Sequence, residues 1–167
     1  MQALLDALQQ ELTHQVPDVS QFVRVTLRLV LAAVIAGVIG WERGGGGKAA
    51  GLRTHMRVSL GAALFVISAL ESGAKAEDVT RVAQGVAAGI GFIGGGVILK
   101  LTEERRVRGL TTAATIWLVA ALGVAAGLGR AGAALIGLLC AWIILRFLLR
   151  VEKRFKKSHL SEAEDEM

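Results

Sequence analysis

One cysteine and one proline are all that the 167 residues contain of either type. A single thiol, Cys140, excludes an internal disulfide and any cysteine metal cluster. It lies inside an apolar run, so a packing role is expected. The one proline, Pro17, is placed to end an N-terminal helical segment. Charge is also missing over long blocks. Residues 82–99 are uncharged for 18 positions, 109–129 for 21 and 131–145 for 15. Residues 29–41 and 58–70 give 13 each. No nucleophile sits beside a base in a recognisable pattern, so an enzyme is not expected. No cofactor motif is present.

Apolar residues make up 53 % of the chain, and glycine occurs 21 times. A bilayer core about 30 Å thick needs about 20 helical residues to cross it. The uncharged blocks, extended at their ends, therefore predict five transmembrane helices over 21–41, 55–72, 81–100, 109–128 and 131–150. Arg146 would snorkel to the surface from the last of them. The runs do not alternate polar with apolar, which excludes a membrane β-barrel. The fold expected is all-α and polytopic. It divides into an amphipathic N-terminal segment (1–17), a membrane domain (18–150) and a basic then acidic tail (151–167). In the first of these Leu4, Leu5, Leu8 and Leu12 recur at helical spacing, which suits a surface helix.

The formal net charge of +5 does not point to nucleic acid, because the charges are distributed by topology. Arg43, Lys48, Arg53 and Arg57 fall in the first connection, and Lys100, Arg105, Arg106 and Arg108 in the third. Six more fall between Arg146 and Lys157. The alternate connections hold only Lys75, Arg81 and Arg130. Cytoplasmic flanks collect Lys and Arg. Five crossings then place the N-terminus outside and the C-terminus in the cytoplasm.

The stretch WERGGGGKAAGLRTH, residues 41–55, contains a fragment of a phosphate loop. The full pattern needs a glycine five positions before the Gly-Lys pair and Ser or Thr after the Lys. Glu42 and Ala49 stand there instead, so a loop between the first two helices is expected. GVIGWER, AGLRTHMRVSLGAALF, DVTRVAQGVAAGIGFIGGGVI and VRGLTTAATIWLVAALGVAAG follow one another in that order. Together they closely resemble the MgtC/SapB family of bacterial inner-membrane proteins, over about residues 23–147. The resemblance implies about five spans and a role linked to magnesium limitation. In pathogens it implies survival inside host cells. For the name-giving member it also implies restraint of the F-type ATP synthase. Function is thus expected in magnesium homeostasis, with transport of Mg2+ or help to its transport. A regulator that binds another membrane complex and moves nothing is the alternative. Mg2+ would be ligand or substrate rather than resident cofactor. A lipid or anion binder is a third reading, since arginines outnumber acids at depth. Two departures from the family pattern stand out: Gly44 begins a glycine run where an acidic or polar residue is usual, and Gly94-Gly95-Gly96 replaces Gly-Ala-Gly.

Charges at membrane depth mark candidate sites, because leaving them unpaired is costly. Arg28 should lie about 10 Å inside the outer boundary at 1.5 Å per residue. Asp78 and Arg81 match the family's acidic and Arg positions. An outer network of Arg28, Asp78, Arg81 and Gln84 is expected, either as a packing clamp or as a functional site. Asp78 is the best single candidate for a metal. On the cytoplasmic side Glu42, Arg43 and Arg53 form a second network with Thr54 and His55 beside it. It would act either as a hairpin clamp through Glu42 and Arg53 or as an ion gate. His55 is expected at the interface. Gly85, Gly89, Gly91, Gly94, Gly95 and Gly96 suit either tight packing, within the chain or across a homo-oligomer, or a locally unwound pathway. Thr111, Thr112 and Thr115 suit capping and packing, or oxygen donation to a cation. Gly123 and Gly127 would supply an outward surface for a partner complex.

Overall fold

The computed structural model describes residues 18–44, 50–101 and 106–148, together with Met1, Gln2 and Leu5. The expected N-terminal amphipathic helix, the glycine run beyond Gly44 and the 151–167 tail lie outside the described residues. Five helices follow in order: α1 (Val19–Arg43), α2 (Leu52–Glu71), α3 (Ala76–Val97), α4 (Leu110–Gly127) and α5 (Ala131–Ile143). A π-helical turn, Ile144–Leu148, continues α5. The expected helices match α1, α2 and α4 to within a turn; α3 starts five residues earlier than expected, at Ala76, and α5 ends at Ile143, with the π-helical turn continuing it to Leu148.

One connection differs from expectation. Residues 99–108 form a small antiparallel ribbon, β1 (Leu99–Leu101) with β2 (Arg106–Arg108), with Lys100 opposite Val107. The ribbon is closed by Gly109, whose φ of +95° and contact with the Val97 carbonyl leave no room for a Cβ.

The core is where α4 meets every other helix. Ile35, Ile39, Val119, Leu122 and Ala134 join α1, α4 and α5. Ala62, Ile90, Ile116 and Ala120 join α2, α3 and α4. Ala32, Ala63, Ile67 and Ala126 join α1, α2 and α4. Small residues dominate these contacts and bring backbones close. A Cβ at Gly127 would lie 2.8 Å from the Ala63 carbonyl oxygen, and one at Gly123 would overlap that of Ser59. The expected outward role of Gly123 and Gly127 is therefore corrected: both are consumed in seating α4 on α2.

Helix α3 behaves in the opposite way. Of its glycines only Gly94 packs inside the chain, facing Ala113 at 3.6 Å from an added Cβ. Among the described residues, an added Cβ at Gly85, Gly89, Gly91, Gly95 or Gly96 meets nothing within 4 Å. Tight packing of these five within the chain is not observed, and α3 stays helical through Val97 rather than unwinding at them. Cys140 is exposed instead of packed.

Candidate functional site

Five polar side chains are buried among the described residues: Arg43, His55, Ser59, Thr112 and Thr115. Arg43, His55, Thr112 and Thr115 lie where α1 ends and α2 and α4 begin, and Ser59 lies deeper, against Ala32 at the middle of α1. Gly40 makes the convergence possible. A Cβ there would sit 2.8 Å from the Leu52 Cα and 3.2 Å from the His55 Cβ, so only glycine lets α1 approach the start of α2.

Arg43 is 4 % exposed. Its Nη2 donates to the Thr111 carbonyl at 2.7 Å and to the Thr115 hydroxyl at 2.6 Å. Thr115 in turn donates its own proton to the Thr111 carbonyl at 2.7 Å. The hydroxyl is thus used once as donor and once as acceptor, and the carbonyl accepts twice. This is the back-bond by which threonine is tolerated in a helix, here recruited to hold a guanidinium. His55 is fully buried, and its Nδ1 donates to the Gly51 carbonyl at 2.7 Å. That bond leaves Nε2 to act as an acceptor in the neutral ring. One turn further in, Ser59 donates to the Ala32 carbonyl at 2.9 Å and ties α2 to α1.

Three atoms of this cluster are buried without a hydrogen-bond partner among the described residues: Arg43 Nε, His55 Nε2 and Glu42 Oε2. Buried polar atoms are normally satisfied, so unpaired ones concentrated at one place mark a site. Together they offer one N–H donor and two acceptors. No group of three or more His, Cys, Asp or Glu is arranged to hold a metal among the described residues.

The expected cytoplasmic network is therefore rearranged. Arg43 belongs to it, but its partners are Thr111 and Thr115 on α4. Arg53 is exposed and makes no ion pair with Glu42. Thr112 is buried beside the cluster. His55, expected at the interface, is inside. The i,i+4 pairs His55/Ser59 and Thr111/Thr115 were the available signal for a shared polar face.

The expected outer network is not assembled. Arg28 Nη1 donates to the Gly127 carbonyl at 3.1 Å, and its guanidinium lies against Gly129. The last carbonyls of a helix lack intrahelical partners and carry partial negative charge, which makes them a partner for a cation at this depth. Asp78 and Arg81 pair only with each other, at 3.4 Å on one helix, with side chains 51 % and 74 % exposed. Gln84 is exposed. Arg28→Met is expected to lower stability by about 1–2 kcal/mol through loss of the α4 cap. Asp78→Asn is expected to change it by less than about 0.5 kcal/mol, as for other solvated pairs. Denaturant unfolding of the two variants in detergent checks both values.

A family model described as the MgtC family matches residues 29–154. The chain is similar to Protein SrpB of Synechococcus elongatus, with 41 % identity over 140 residues covering 77 % of each chain. It is similar to Protein MgtC of Salmonella typhimurium, with 44 % identity over 123 residues, 72 % of this chain and 52 % of that one. It thus spans about half the length of that relative. The Escherichia coli K12 protein named "Putative magnesium transporter YhiD" is 38 % identical over 143 residues, 80 % of this chain and 66 % of its own. No solved structure matches the chain.

Proposed function

This chain belongs to the MgtC family, and we propose that it is a five-span, non-enzymatic protein of the bacterial inner membrane serving magnesium homeostasis, by carrying Mg2+ or assisting its transport. The chain is a membrane protein. Two of its helices, α1 and α4, are long and apolar enough to cross a bilayer by length and composition, and the apolar run Ala131–Arg146 is shorter. The five-span reading is supported by large apolar side chains turned outward on every helix. Phe22 is 62 % exposed, Phe65 66 %, Phe92 87 %, Trp117 53 % and Ile136 65 %. The distribution of Lys and Arg supports an outer N-terminus and a cytoplasmic C-terminus.

The observation that carries the functional reading is the gathering of four of the five buried polar side chains among the described residues, Arg43, His55, Thr112 and Thr115, in one half of the bundle, with Ser59 at its mid-depth. In this topology that half is cytoplasmic. From the level of Ser59 onward the bundle is closed by Ala32, Ala63, Ile67 and Ala126. A polar inner half beneath an apolar plug is the form of a closed access path. Its latch is Arg43, which binds α1 to α4 through Thr111 and Thr115. Opening requires those two bonds to break. Mg2+ keeps several waters, and hydroxyls and carbonyls suit that hydrated ion better than a bare one. The relative named for magnesium transport supports the choice of ion.

The second reading is a non-transporting regulator of another membrane complex, such as the F-type ATP synthase. It is favoured by the open Gly91 and Gly95 face of α3, with Phe92 beside it, which also suits a homo-oligomer. Liposomes containing only the purified protein and a magnesium-sensitive dye separate the two. Transport predicts entry under an inside-negative potential that rises in a folded Arg43→Met variant, which lacks the two latch bonds, and is unchanged in Asp78→Asn. Absence of entry, with folding and orientation verified, would pass the weight to the regulator and to a search for its partner by crosslinking.

A further inference from the structure

Helices α2 and α3 diverge and leave a groove of about 690 Å3 between them. Ala62 and Phe65 line it on α2, and Val86 and Ile93 on α3, with Gly85 and Gly89 as its floor. The two glycines widen the groove rather than seat a neighbour, because a Cβ on either meets no described residue within 4 Å. Among the described residues Arg57 is the one charged side chain that lines it. Neither Arg57 nor Arg53, one turn earlier on the same face of α2, makes a hydrogen bond or ion pair with any described residue. At 1.5 Å per residue the groove extends about 12 Å along α2, from Arg57 to Phe65. It is a long apolar slot with an uncompensated cation at one end.

We infer that this groove holds one anionic phospholipid, its acyl chain along the Gly85–Gly89 floor and its phosphate on Arg57. Arg53 stands in reach as a second cation. An amphiphile with an apolar tail and a negative head is the chemistry that matches both parts of the slot. Water does not fill it, because a dry apolar lining offers too few polar partners. A second copy of the chain seated on the groove would instead give a lipid-free dimer that Gly89→Leu dissociates. In the five-span topology the cationic end faces the cytoplasmic leaflet, where anionic lipids and polybasic segments meet. The inference goes beyond the magnesium proposal and rests on its five-span topology, but not on transport.

The test is native mass spectrometry of the protein extracted from vesicles of equal phosphatidylglycerol and phosphatidylcholine. The parent should retain one phosphatidylglycerol per chain in preference to phosphatidylcholine. Arg57→Gln should reduce that preference about fivefold, the value of one cation near an anionic head group. Gly89→Leu should expel the lipid by filling the slot. Gly95→Leu, on another open face of α3, should leave it bound. Circular dichroism should show unchanged helix content in all three. Equal retention of the two lipids by the parent would overturn the inference. So would retention undiminished in Gly89→Leu, or a lipid-free dimer that Gly89→Leu dissociates. Magnesium flux is not part of the readout, so failure here is distinct from failure of the transport reading.

Discussion

Gly123→Ala is expected to destabilise the protein by about 2 kcal/mol, and Gly85→Ala by none, although both glycines sit in a GxxxG pattern. Overpacking a close contact typically costs about 1–3 kcal/mol, because side chains or backbone must shift to admit the added group. At Gly123 the obstacle is backbone. The new methyl would overlap the Ser59 carbonyl oxygen and lie 2.9 Å from the Ser59 Cα. Ser59 cannot move alone, because its hydroxyl donates to Ala32 on α1. The strain therefore spreads to the three-helix contact of α1, α2 and α4. Gly85 has no described neighbour within 4 Å of an added Cβ. There the only change is the gain of a better helix former, about 0.5–1 kcal/mol in favour of Ala. Reversible unfolding of the two variants in one detergent, with circular dichroism as signal, measures the difference. Equal stabilities would mean that α4 does not rest on α2 as described.

Thr115→Val is expected to cost more stability than Arg43→Met, although the arginine is the larger and charged residue. The valine keeps the shape of threonine but removes the acceptor that Arg43 Nη2 uses at 2.6 Å. A hydrogen bond to a charged group is worth about 1.5–3 kcal/mol, and here its loss leaves the guanidinium buried. Arg43→Met instead removes the charge together with its need for partners. Replacement of a buried ion by a hydrophobe of similar size is often close to neutral. The Thr111 carbonyl keeps the Thr115 proton, so no acceptor is orphaned. The expected order is a loss of about 2 kcal/mol for Thr115→Val and less than about 1 kcal/mol for Arg43→Met. The double variant should resemble Arg43→Met alone. Such a cycle isolates the coupling between two residues in contact. Additive losses would show that the Arg43–Thr115 bond does not hold α1 to α4.

Much of the helical architecture was legible in the order of the residues. Charge-free blocks bounded by Lys and Arg located α1, α2 and α4 to within a turn, and α3 and α5 to within about two. Four motifs in series carried the family, which the match over residues 29–154 bears out. These features are local. Uncharged length sets where a helix can run, and a motif survives as a string. The rotation of each helix about its axis is another matter. α4 is apolar almost all round, so no stripe in its sequence says which face meets α2. Tertiary packing therefore chose Gly123 and Gly127 for the α2 contact and left Gly85 and Gly89 to open a groove. It also chose the partners of the buried charges. Arg28 had acids within plausible reach but took the Gly127 carbonyl at the end of α4. Carbonyls at a helix end are present in every sequence and visible in none. Arg43 found Thr115, 72 positions away, for the same reason. His55 went inside because Gly40 let α1 approach, a contact that exists only once the helices are paired.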